Sequence, residues 1–94
     1  MPAYWIAHVN VMDEESYAKY AKAATEPILA HGGKFLARGG RFVQLEGNER
    51  ARNVVIEFPT LENAEACYRS DAYQAALEFA RDASVRDLMV VEGA

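Results

Sequence analysis

Two side chains that could exchange protons, His8 and Glu57, sit in runs that are otherwise apolar: Trp5-Ile6-Ala7-His8-Val9 and Val54-Val55-Ile56-Glu57-Phe58. A charge inside such a run is costly unless it is paired or wetted by a pocket. Side by side, the carboxylate would orient the imidazole and raise its pKa, giving an acid/base pair in an enclosed site. The same residues also fit a structural pair, or a bridge from Glu57 to Arg38 or Arg52, that holds strand register and subunit geometry. The residue types favour that second reading, because ionic networks perturb charges without catalysing anything. Arg38 is followed by Gly39-Gly40, whose missing side chains would let a ligand or another backbone come close. A guanidinium there could hold a small carboxylate or steady an enolate. A glycine bulge with Arg38 paired to a carboxylate explains the same three residues, and more simply.

The remaining candidates are aromatic. Tyr20, Tyr68 and Tyr73, with Tyr17, recur on helical faces directed at a sheet, where most are core residues and one or two could ring a pocket together with Gly39 and Gly40. Cys67 reads as a small buried hydrophobe, and His31, beside two glycines, as a partner for the negative end of a helix. With only two histidines, His8 and His31, far apart in the chain, no metal-ligand spacing is present. The glycines form no phosphate loop and no histidine is placed as a haem ligand, so no cofactor is expected.

Totals narrow the field further. The chain has 94 residues, a net charge of -4 and one cysteine. That is enough for a single domain, residues 1–94, and too little for a second core. Its ten lysines and arginines never form a run, which argues against nucleic acid as a partner. One cysteine permits no intrachain disulfide, and no apolar run is long enough for a leader or a membrane span, so the expected location is the cytoplasm.

The elements that must position these residues follow from periodicity. Ala3 to Met12 alternates as a strand, with Trp5, Ala7, Val9 and Val11 on one face and Tyr4, Ile6, His8 and Asn10 on the other. Asp13 caps a helix carrying Tyr17, Tyr20, Ala21, Ala24 and Ile28 inward, with a kink or break expected at Pro27. Lys34 to Glu46 predicts a second strand, bulged at Gly39-Gly40, followed by a turn through Gly47 and Asn48. Asn53 to Phe58 is a third strand, with Val54, Ile56 and Phe58 on one face and Val55 and Glu57 on the other. Pro59 ends it, Thr60 and Ser70 cap two further helical pieces, and Val85 to Glu92 is the last strand. The order β-α-β-β-α-β predicts an α+β fold, a ferredoxin-like antiparallel four-stranded sheet with helices on one face. Helices on one side leave Tyr4, Ile6, His8, Val55 and Glu57 uncovered, so a homodimer through the helix-free sheet face is expected.

His31 to Gly40, Leu45 to Gly47, Val54 to Pro59, Tyr68 to Gln74 and Val90 to Gly93 together resemble the DUF1330 family of small bacterial proteins. The resemblance spans essentially the whole chain. It implies membership of the dimeric α+β barrel group, which also holds cofactorless monooxygenases, muconolactone isomerase, haem-degrading enzymes and chlorite dismutases. It therefore implies a dimer with a cavity between its sheets, and no particular reaction. Two readings follow. One is a homodimer that holds a small, partly apolar molecule, or whose polar cavity only stabilises the dimer. The other is a cofactor-independent enzyme, isomerase-like or monooxygenase-like, acting on an enolisable or aromatic molecule, with His8 and Glu57 as acid and base and Arg38 as anion stabiliser.

Overall fold

The structure, a computed structural model, describes residues 1–94. Strand β1 (Ala3–Val11) leads into helix α1 (Glu14–Ala30), then β2 (Lys34–Arg38), β3 (Arg52–Phe58), α2 (Leu61–Arg69), α3 (Asp71–Arg81) and β4 (Ser84–Glu92). The strands form one sheet in the order β2-β3-β1-β4, every neighbour antiparallel. This is the expected ferredoxin-like arrangement. The molecule measures 32 × 32 × 17 Å, a slab one sheet and one helix layer thick.

The caps act where the side chains predict. Asp13 accepts the Ser16 N–H (3.1 Å) and Thr60 the Asn63 N–H (3.0 Å). Ser70 serves two helices: its hydroxyl donates to the Cys67 carbonyl at the end of α2 and accepts the Tyr73 N–H at the start of α3. That break turns Tyr73 into the core. Each such cap is worth about 1 kcal/mol. Helix α1 runs through Pro27 as a single element rather than two. Pro27 still supplies an acceptor there, its carbonyl taking hydrogen bonds from the His31 backbone and imidazole.

The core lies between the helices and the inner sheet face. Trp5, Phe58, Ile56 and Val9 from the strands and Tyr73 and Cys67 from the helices are its largest fully buried side chains. Trp5 meets the Tyr73 ring edge-on at 5.1 Å and the Phe58 ring at 5.8 Å.

Strand β2 differs from expectation. It ends at Arg38 rather than Glu46, and its bulge falls between Phe35 and Ala37 rather than at the glycines. Gly39 has φ +72° and donates its N–H to the Asn53 carbonyl, so the chain leaves the ladder there. Residues 39 to 51 then run without regular structure and leave Phe42, Val43 and Leu45 exposed. The bulge carries a consequence for direction. Phe35 pairs with Ile56 and Ala37 with Val55, so Leu36 is the extra residue and Arg38 lands opposite Val54, on the inner face. Unbroken alternation would have turned Arg38 outward.

Gly33 is closely packed where Gly40 is open. A Cβ on Gly33 would lie 2.6 Å from Ile28 Cγ2 and 2.8 Å from the Ile28 carbonyl oxygen, whereas one on Gly40 would have nothing within 4 Å. Gly33→Ala is therefore expected to cost about 1–3 kcal/mol, read as a lower urea midpoint at unchanged slope. Gly40→Ala should stay within about 0.5 kcal/mol of the parent.

Candidate functional site

Directly paired residues project to the same face of a sheet, so the register sorts every candidate. On the inner face Val9 lies between Arg52 of β3 and Arg86 of β4, one rung across three strands. On the next rung Ala7 pairs with Val54, and Val54 with Arg38. Three guanidinium stems thus rise from one end of an otherwise apolar surface toward α1. Together with Tyr17 and Tyr20 they line a cavity of about 30 Å³ whose other walls are apolar, among them Trp5, Ala24, Ile28 and Val54. It adjoins an open groove of about 480 Å³ bordered by Tyr17, Ala21, Gly39 and Arg52, with Glu14 at its rim.

Arg86 is the best-fixed member. Its Nη2 donates to Tyr20 Oη (2.8 Å) and to Tyr73 Oη (3.1 Å), and the two hydroxyls share a further hydrogen bond of 2.7 Å. Its guanidinium carbon stands 4.6 Å from the centre of the Tyr20 ring, a cation–π distance. Burial alone would pull Arg86 toward its neutral form, but the adjoining phenols outweigh this and hold its pKa above the ordinary arginine value. Burial raises the pKa of Tyr20, helped by Tyr73 and opposed by Arg86; Tyr73 is raised as well, again chiefly by burial. Both phenols are neutral at physiological pH.

Arg38 donates to Thr25 Oγ1 of α1 (2.9 Å) and lies 4.1 Å over the Phe35 ring. Arg52 sits 5.8 Å from the Tyr17 ring centre. A Cβ on Gly39 would come within 2.5 Å of Arg52 Nη1, so the missing side chain makes room for this guanidinium. None of the three arginines takes part in an ion pair; the salt bridges are Arg50–Asp87, Arg69–Glu65 and Arg81–Glu78.

The His8–Glu57 pair is not assembled within the protomer. His8 pairs with Asn53 and Glu57 with Tyr4, four positions further along, or roughly 13 Å at about 3.3 Å per residue. His8 Nδ1 donates to Asn53 Oδ1 (2.6 Å), an orientation fixed because the Asn53 amide nitrogen donates to the Arg50 carbonyl (3.2 Å). Nor does Glu57 bridge to Arg38 or Arg52, which point to the opposite face of the sheet. Of the other candidates, Tyr20, Tyr73, Arg38 and Gly39 gather at or beside the arginine-lined cavity. Tyr68 stands apart, with Trp5 and Leu88 in a second apolar cleft of about 390 Å³ between α2 and β4. Gly40 lies on the open surface. The sequence offered Arg52 only as a bridge to Glu57, and Arg86 was given no role. Their signal was present, since Arg52-x-Val54-x-Ile56 and Arg86-x-Leu88-x-Val90 put each arginine one step before an apolar inner row. Burial also pushes the Cys67 thiol up to about 11, in keeping with a core role.

Fold and topology place the protein among ferredoxin-like α+β proteins. The chain belongs to the DUF1330 family, a domain of unknown function, whose pattern it matches over residues 2–94. No curated protein matches it. Among solved structures it resembles RPA0582, a protein of unknown function from Rhodopseudomonas palustris, with TM-score 0.80 and 19% identity over 99% of this chain and 82% of that one. SnoaB, a cofactor-independent oxygenase from Streptomyces nogalater, superposes with TM-score 0.68 at 8% identity, covering 98% and 92% of the two chains. A dimeric ferredoxin-like protein of unknown function from Thermobifida fusca gives 0.61 at 16% identity, covering 97% and 92%. At these identities the likeness is one of fold.

The buried phenols set an alkaline dependence. Both hold their protons to higher pH in the folded chain than unfolded, so their contribution is complete below about pH 10 and is lost as the pH rises beyond it. Stability should fall above pH 10 by up to about 1.4 kcal/mol per pH unit for each withheld proton. Denaturant titrations at several alkaline pH values would show this, and Tyr20→Phe should make the decline shallower.

Proposed function

We propose that this protein is a homodimer that binds a small, partly apolar molecule in the cleft between α1 and the inner face of the sheet. The observation that carries the reading is the cavity itself: apolar walls with polar groups confined to a few side chains at one end, sharing Tyr17, Ala21 and Arg52 with an open groove. Ligand sites are commonly built this way. The dimer is supported by the other face of the sheet. No helix covers it, and Met89 (53% exposed) and Val91 (41%) flank Ile6 and Tyr4 there, with Val55 on the neighbouring strand. A contiguous apolar face of this kind is a protein-binding surface more often than a solvated one, and a structural relative of similar size is dimeric. Ligand and partner would then occupy opposite faces of one sheet.

An enzymatic reading built on His8 and Glu57 draws no support from the protomer, which holds them apart. Binding is the function the geometry supports.

Two measurements test the proposal. Nuclear magnetic resonance titration with a library of small aromatic and short aliphatic compounds should shift the amides of Ala21, Ala24 and Val54; shifts confined to the outer face, or none at all, would overturn the site. In sedimentation at micromolar concentration the protein should run as a dimer, and Ile6→Asp with Met89→Asp should convert it to a folded monomer. A parent protein that sediments as a monomer would overturn the assembly.

A further inference from the structure

The hydrogen-bonding capacity left over around the cavity, on its lining arginines and on the Tyr20–Tyr73 pair behind Arg86, is nearly all of one kind. Two phenols have two hydroxyl hydrogens between them, and the 2.7 Å bond from Tyr20 to Tyr73 uses one. Arg86 Nη2 has two hydrogens and spends one on each phenol oxygen. One hydroxyl hydrogen is therefore spare. The Nε–H groups of Arg86 and Arg52 are both buried and both without a partner, although a guanidinium nitrogen carries only donor capacity. Leaving such a group unmet costs about 1–3 kcal/mol. On the acceptor side one lone pair of the donating phenol remains, and no carboxylate lines the cavity. Charge points the same way: three arginines outside any ion pair face one cavity in a chain whose net charge is -4.

We propose that the cavity is a carboxylate site, which takes the head of a small organic monocarboxylate between Arg52 and Arg86 while the apolar body of the molecule lies along Tyr17 and Ala21 in the groove. The inference rests on the proposed binding function and names the chemical class of its ligand. A carboxylate supplies what the site lacks, acceptor oxygens and negative charge, and guanidinium groups favour it through charge-assisted bonds. The cavity's 30 Å³ suits a head group and no more, so the remainder must project through the mouth.

Matched pairs of probes test this: acetate, hexanoate and benzoate against acetamide, hexanamide and benzamide, titrated at constant ionic strength into the ¹⁵N-labelled protein. The acids should shift the Nε–H resonances of Arg52 and Arg86 and bind at least about tenfold more tightly than their amides. Arg52→Gln, which disturbs no hydrogen bond within the chain, should remove that preference and leave the fold intact. Arg86→Met should also remove it, but that change unseats both phenols. Amides binding as well as acids at the same resonances would overturn the carboxylate assignment and leave the binding function standing. A preference that survives Arg52→Gln would overturn the placement of the head group. If neither set binds at millimolar concentration, the carboxylate site and the binding function both fall.

Discussion

The inner half of the molecule depends on how a guanidinium is kept inside an aromatic core. Removing the Arg86 charge from water costs several kcal/mol, and the fold offers it no counter-ion, only two phenol oxygens and the face of a ring. Those acceptors come from different helices, Tyr20 from α1 and Tyr73 from α3, so the contact also ties both helices to β4. This couples stability to the site. The residue that pins the helix layer to the sheet also lines the cavity and carries an unmet buried donor.

The division of the sheet into two faces organises everything else. Its inner rows end in Arg52, Arg86 and, after the bulge, Arg38, while its outer rows run from Tyr4, Ile6 and Met89 to a polar end of His8, Asn53 and Asp87. The proposed ligand and the proposed second subunit therefore need not compete for surface. Trp5 links the two clefts under the helices, since it borders both the arginine-lined cavity and the apolar cleft beside Tyr68.

Element order, caps and the faces of β1 and β3 were legible because they rest on local chemistry: proline stops, capping side chains and the alternation of apolar residues. The same logic put Trp5 under the helices and Ile6 and Val55 on the bare face. What failed was register. Alternation tells which face a side chain takes but not which residue stands beside it, so His8 and Glu57, correctly given one face, could be paired only on the condition that they approach, and the register sets them four rungs apart. Arg52 was offered only as a partner for Glu57 because its strand was started one residue late, and Arg86, inside the expected strand Val85 to Glu92, was assigned to neither face. The bulge had no local sign, for Phe35-Leu36-Ala37 contains no glycine and the glycines nearby drew attention instead.

That bulge makes the site tolerant of a kind of genetic change that substitutions do not capture. Losing one codon at Leu36 would take out the extra residue and restore plain alternation in β2 while Arg38 stays opposite Val54 on the inner face, with every charged residue of the chain retained. Losing that single residue is thus a way for descendants of one ancestor to differ in length while keeping the same fold and the same arginines. Position-by-position identity counted without the gap would understate how much of the cavity lining two such descendants share.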